Sequence, residues 1–201
     1  MKQPSKQIYF DLETDGLLDE VTKIHCLIYK CDGEHHVIYE KDIPEALLFL
    51  KDHHLIGHNI LGFDFRVLDK LYGFVPVSYT DTLILSRLTF PDLRAQDFDK
   101  RGMDSKMYGS HALKAWGHRL SYLKGDYGEH EGAWDELTPE MIEYCKRDVD
   151  LTQKLHEHLL KYEKHTSSDS IELEHQVSKI CYEQETFGFP FDVPKALELY
   201  K

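Results

Sequence analysis

Ile8-Tyr9-Phe10-Asp11-Leu12-Glu13-Thr14-Asp15-Gly16 is the stretch on which the fold turns. Apolar Ile8, Phe10 and Leu12 alternate with Tyr9, Asp11 and Glu13. Side chains on a strand point alternately to opposite faces, so one face is buried while Asp11 and Glu13 leave together from the other. Two carboxylates held side by side repel each other. An acidic strand end running into the Asp15-Gly16 turn satisfies this pattern, and so does half of a divalent-metal site whose cation offsets the repulsion. The metal alternative requires further carboxylates elsewhere in the chain.

Outward from this strand, two more are expected over 24–29 and 36–39 around a turn at Asp32-Gly33, making an antiparallel meander. Asp42 is placed to cap a helix with Pro44 in its first turn and an apolar run over 46–50. A strand over 55–57 and a helix over 63–72, closed by Gly73, complete a β-β-β-α-β-α order, which predicts an α/β sheet with helices against it. Further on, Asp81-Thr82 opens a helix over 83–88 that Pro91 stops. Residues 92–109 read as a long mobile loop, a kind that is commonly functional. Ser110 is expected to cap a helix carrying Leu113, Ala115 and Trp116, and 122–134 is irregular and glycine-rich. Thr138 and Pro139 start the longest helix, to about residue 162. After a polar break at 165–169 come a helix over 171–187 stopped by Gly188, and a last one begun by Asp192 and Pro194. Hence one domain over 1–165 and a helical extension over 166–201.

With 201 residues and 41% hydrophobic composition the chain can bury an ordinary single-domain core. Cys26, Cys31, Cys145 and Cys181 show neither C-x-x-C pairing nor zinc spacing, which predicts free thiols in a reducing, cytoplasmic compartment. Neither a membrane span nor a secretory signal is read. The thirteen histidines show no zinc-ligand spacing, and His58 stays outside the catalytic set. A formal charge of −12 argues at first against a nucleic-acid partner. Between Arg87 and Lys124, however, eight basic residues face four acidic ones, which makes this net-positive window the candidate surface for tracking a phosphate backbone.

Two more acidic sites supply what the metal alternative requires. In Asn59-Ile60-Leu61-Gly62-Phe63-Asp64 a strand feeds a glycine-containing turn and a helix whose first turn carries Asp64. In Tyr144-Cys145-Lys146-Arg147-Asp148, Tyr144 and Asp148 are four apart and share one helix face. The Asp-x-Glu strand, the Asn-x-x-x-Phe-Asp segment and the Tyr-x-x-x-Asp helix resemble, in order and composition, the three motifs of the DEDD exonucleases. Tyr144, with Glu143 where another branch has His, resembles the tyrosine branch. The strings at 81–88, 109–120 and 124–127 (Lys-Gly-Asp-Tyr) are similar to the exonuclease domain of podophage family A replicative DNA polymerases, and 183–192 is similar to the start of their polymerase portion. No polymerisation motif is present.

The resemblance implies a ribonuclease H-like mixed sheet and 3′–5′ DNA exonuclease activity of the proofreading type, with two divalent ions, Mg²⁺ or Mn²⁺. It implies Asp11, Glu13, Asp64 and Asp148 as metal ligands: Asp11 bridging, Glu13 and Asp148 on the water-activating ion, and Asp64 on the second through water. Tyr144 would orient the attacking water. Single-stranded DNA or frayed 3′ ends are the expected substrates, with Leu12, Thr14, Asn59 and Phe63 as substrate contacts. A separate family A polymerase polypeptide is the expected partner. Two alternatives stay open: a ribonuclease using the same machinery, and a docking module that keeps the fold as an accessory.

Overall fold

In a computed structural model of the chain, the described residues are 6–200 apart from Asp99, Arg101, Asp126, Glu131, Glu163 and His165. Residues 1–5, Asp99 and Arg101 of the basic window, Asp126 of the Lys-Gly-Asp-Tyr string, His165 at the polar break and Lys201 therefore lie outside the described residues. Five strands, β1 (Gln7–Thr14), β2 (Ile24–Cys31), β3 (Glu34–Tyr39), β4 (His54–Gly57) and β5 (Ser78–Asp81), form one sheet of order β3-β2-β1-β4-β5. The meander β1-β2-β3 is antiparallel, while β4 runs parallel to β1 and β5 parallel to β4, so the sheet is mixed. β1, the strand quoted above, is central.

β1 is covered on both faces. Ile8, Phe10 and Leu12 enter the largest core cluster with Ile43, Leu47 and Leu50 of α1 (Ile43–Leu50) and Phe65 and Leu68 of α2 (Asp64–Tyr72). Phe10 stacks on Phe65 with ring centroids 5.6 Å apart. The opposite face lies under α6 (Pro139–Leu160), whose Cys145 and Val149 pack on Cys26 and Ile28 of β2. The face that carries Asp11 and Glu13 is thus turned to a helix and not to open solvent.

β5 was absent from the expected strands. Its four residues, Ser-Tyr-Thr-Asp, carry one large apolar side chain and sit at the sheet edge, so no alternation marks them. Position 57 admits only glycine: a Cβ there would stand 2.2 Å from Ile60 Cγ2 and 3.1 Å from the Phe10 carbonyl oxygen. The chain then reverses through Asn59 at φ +62, a left-handed conformation that asparagine tolerates. Asp81 holds this turn, its carboxylate accepting the N–H groups of Asn59 (2.8 Å) and Leu61 (3.1 Å) while also capping α3 (Thr82–Thr89) through Leu83 N–H (2.9 Å).

Several expected caps and loops are corrected. Asp42 occupies the position before α1 but makes no capping hydrogen bond, because residues 40–42 already form a 3₁₀ turn and leave it in a helical conformation. Ser110 lies two residues ahead of the cap of α5 (Leu113–Arg119); its hydroxyl accepts the Ala112 N–H. Residues 92–109 are no plain loop. They hold α4 (Arg94–Asp97) and a 3₁₀ turn at Ser105–Met107, pinned by buried Asp97, which takes two hydrogen bonds from Arg119 and one from Gly109 N–H. Arg119 is thereby spent inside the fold, and Lys100 donates to its carbonyl, so part of the basic window is structural.

The C-terminal helices match expectation in kind. In α7 (Ser168–Phe187), buried His175 donates from Nδ1 to the Ile171 carbonyl (2.7 Å), leaving Nε2 to accept the Asp81 N–H (2.8 Å). α8 (Val193–Tyr200) buries nothing. Among the described residues no helix is long and apolar enough to cross a membrane. The four cysteines are free thiols; all but Cys181 are buried.

Candidate active site

Three elements deliver four carboxylates to one seam. β1 carries Asp11 and Glu13 on its helix-facing side, α2 begins at Asp64, and α6 presents Asp148 one turn after Tyr144. Glu13, Asp64 and Asp148 are 7%, 3% and 3% exposed, values that carboxylates reach only with a partner or a cation to offset them. Asp64 Oδ1 and Asp148 Oδ1 are buried with no hydrogen-bond partner. A buried polar atom without a hydrogen-bond partner costs free energy.

The electrostatics record the same crowding. Burial, then the charge of Asp148, pushes Asp11 up to about 7. Burial also raises Asp148, to about 6, against the opposing pull of Lys124. Glu13 and Asp64 rise well above the usual carboxylate range, from burial first and the Asp11 charge second. Burial raises all four acids, and a neighbouring carboxylate charge adds to this at Asp11, Glu13 and Asp64. The donors are hard oxygens, of the kind Mg²⁺ and Mn²⁺ take, and two of them, Asp64 Oδ1 and Asp148 Oδ1, are buried without a hydrogen-bond partner. The residues present therefore fit a divalent metal.

The sequence-derived substrate contacts are placed unevenly. Leu12 is turned into the core and 4% exposed, which leaves its side chain no surface for a nucleotide. Strand alternation is the reason, since Leu12 shares the face of Phe10. Thr14 is also buried, its hydroxyl donating to the Gly16 carbonyl (2.8 Å). The Asn59 side-chain oxygen accepts the Tyr182 hydroxyl of α7 (3.3 Å). Phe63, immediately before Asp64, is partly buried against the core and keeps some exposed surface.

Four neighbours were not among the expected site residues. Lys124 reaches into the seam, its Nζ 2.6 Å from Asp148 Oδ2 and 4.9 Å from the centre of the Tyr144 ring. Burial alone would lower its pKa, but Asp148, Tyr144 and Asp11 together hold it above the usual lysine range, so it stays charged. Tyr127 and Trp134 flank the Tyr144 ring at 5.6 and 6.1 Å. Cys145 Sγ lies 3.6 Å from Asp11 Oδ2. The signal for Lys124 and Tyr127 was present in the Lys-Gly-Asp-Tyr string; Trp134 and Cys145 carried none.

A family model described as 3′-5′ exonuclease matches residues 1–162. A DNA-directed DNA polymerase of Enterobacteria phage T3 is 32% identical over 240 residues, spanning 94% of this chain and 34% of the relative. The chain thus spans about a third of the length of the curated relatives it matches. Among solved structures, Escherichia coli RNase D, an exoribonuclease involved in structured RNA processing, superposes with a TM-score of 0.62 at 14% identity over 89% of this chain and 45% of that one. Brucella melitensis NrnC with bound Mg²⁺ gives 0.58 at 20% identity over 90% of this chain and 82% of that one. These likenesses show a ribonuclease H-like fold.

Proposed function

The chain belongs to the 3′–5′ exonuclease family whose model covers residues 1–162, and from that premise we propose that it hydrolyses the 3′-terminal phosphodiester of DNA, releasing nucleoside 5′-monophosphates. The observation that carries the proposal is the convergence of Asp11, Glu13, Asp64 and Asp148 in one buried seam with two carboxylate oxygens unpartnered. These four would hold two Mg²⁺ or Mn²⁺ ions. Bound there, the ions supply Lewis acidity for a nucleophilic water and for the departing 3′-oxygen.

The remaining steps fall to the chain's own groups. Burial raises the Tyr144 phenol above its ordinary value, so at neutral pH it keeps its proton and orients the attacking water by hydrogen bonding. Tyr127 and Trp134 fix the ring from the sides. Lys124 neutralises part of the Asp148 charge and puts a fixed cation where negative charge accumulates on the phosphate. Phe63 offers a surface for the terminal base, and Leu12 contributes backbone. The terminal nucleotide must be unstacked to enter, which favours single strands and frayed ends.

DNA is preferred over RNA because the curated relatives are DNA polymerases. The likeness to an exoribonuclease supports the second reading, RNA digestion by the same machinery. We assign residues 166–201 to a separate helical segment. In this reading its exposed Phe187, Phe189 and Leu199 are covered by a polymerase portion, on another polypeptide or on the same one. Free thiols suit a reducing cytoplasm.

Digestion of matched 5′-labelled DNA and RNA oligonucleotides, with Mg²⁺ or EDTA, tests this. The expected result is a metal-dependent ladder shortening from the 3′ end of DNA, reduced at least about 1,000-fold in the Asp11→Asn/Glu13→Gln variant. Undiminished digestion by that variant, or faster cutting of RNA, would overturn the respective part.

A further inference from the structure

α7 lies beyond the residues that the family model matches, yet it reaches back to the turn that delivers Asp64. It buries one residue, His175, at 4% exposure. Because Nδ1 of that ring donates to the Ile171 carbonyl (2.7 Å), Nε2 carries a lone pair, and this accepts the Asp81 N–H (2.8 Å), a donor that would otherwise be buried and unpaired. Tyr182 is seven residues on and so on the same helix face. Its hydroxyl donates to Asn59 Oδ1 (3.3 Å) and covers Gly62, where a Cβ would come within 2.9 Å of it.

Both contacts meet one turn. The Asp81 carboxylate accepts the N–H groups of Asn59 and Leu61, the Asn59 carbonyl accepts those of Gly62 and Phe63, and Asp64 follows directly as the first residue of α2. Resting on the reading of Asp64 as a metal ligand, we propose that His175 is a positioning residue of the exonuclease reaction: its Nε2 anchors Asp81, Asp81 holds the turn, and the turn sets Asp64 in the seam. Misplacing a reacting group by about 1 Å can slow catalysis by about 100-fold, so the anchor matters without touching substrate. The helical segment, separate in chain order, is then not separable in function.

Variants of the whole chain test this. His175→Leu removes the acceptor, and His175→Gln returns an oxygen acceptor near the Nε2 position. Ser167→Ala removes the cap of α7, whose hydroxyl accepts the Ser170 N–H (3.1 Å), and leaves Asp81 untouched. Without metal or nucleic acid, amide exchange at Asn59, Leu61 and Asp81 should quicken at least about tenfold in His175→Leu and return toward wild type in His175→Gln. In oligonucleotide digestion His175→Leu should lower kcat by about 10–100-fold and raise the Mg²⁺ concentration for half-maximal rate, with KM for DNA unchanged. His175→Gln should recover most of that loss, and Ser167→Ala should keep the wild-type kcat and Mg²⁺ requirement. Should His175→Leu fail to fold, His175→Asn, too short to reach Asp81, is measured in its place. Wild-type kcat and Mg²⁺ requirement without the acceptor, or equal losses in His175→Gln or Ser167→Ala, overturn the proposal. Digestion by the Asp11→Asn/Glu13→Gln variant bears only on the underlying reading and amide exchange only on the His175 anchor, so the two failures are distinguishable.

Discussion

On one face of β1, Ile8, Phe10 and Leu12 are 0%, 0% and 4% exposed among the side chains of α1 and α2; on the other, Asp11 and Glu13 lie against α6, with Glu13 at 7%. Both faces are shielded by helices, yet their energetics oppose each other. Each fully buried apolar side chain contributes about 1.5–3 kcal/mol. The carboxylate face costs stability where its charges go uncompensated; Lys124 pairs with Asp148, and its charge also eases Asp11 and Glu13 without restoring any of the three to the ordinary carboxylate range. One strand therefore supplies apolar packing from one side and a crowded carboxylate surface from the other. Alternation keeps the two jobs from interfering.

This contrast is open to direct attack by mutation. The largest effect expected is Phe10→Ala, which removes a stacked ring from the apolar face and should cost about 3–5 kcal/mol in denaturant unfolding. Asp11→Asn at the neighbouring position should leave the metal-free midpoint at pH 8 unchanged or higher, because it removes a repelling charge. A loss comparable to that of Phe10→Ala would erase the distinction between the faces.

A smaller effect follows from protonation. Asp11 and Asp148 are raised to about 7 and about 6, so without metal the folded protein binds more protons than the unfolded chain from about pH 4 up to those values. Their contribution to stability is complete below the unfolded pKa and is lost as pH rises through the folded pKa. Mg²⁺ or Mn²⁺ should accordingly raise Tm by several degrees more at pH 8 than at pH 5.5, where protons occupy the same oxygens. Equal shifts at both pH values, seen by calorimetry, would contradict the raised values.

The smallest difference lies far from the seam. Thr138, whose hydroxyl accepts the Met141 N–H and caps α6, should cost about 1 kcal/mol when replaced by alanine. Asp42→Ala, at a cap position without a cap bond, should stay below about 0.5 kcal/mol. A melt that reverses this order would mean that local backbone conformation does not decide capping here.

What could be read in advance had a local cause. The alternation in β1, the Asn59-to-Asp64 segment and the spacing of Tyr144 and Asp148 are short-range patterns, and the structure brings all three to one seam. Helices with a proline in the first turn and a glycine after the last were legible for the same reason, as at α2 and α6. β5 was not, because an edge strand of four residues has no periodicity to show. Lys124 looked like one of several surface cations, and the 92–109 stretch like a loose loop, because burial of Asp97 by Arg119 is a contact across more than twenty residues.

The sequence by itself determined which residue types could do chemistry and the order in which they occur, since carboxylate pairs, caps and i,i+4 spacing are properties of neighbours along a chain. Only the tertiary structure decided that α6 lies over β1. That packing set the pair of acids against a helix, burying Glu13 and part of Asp11, drew Lys124 and Cys145 to its side, and left Asp64 Oδ1 and Asp148 Oδ1 without hydrogen-bond partners among the described residues. Desolvation and close approach of like charges arise only when distant segments meet, and they are what push the carboxylates of the seam above their ordinary pKa range.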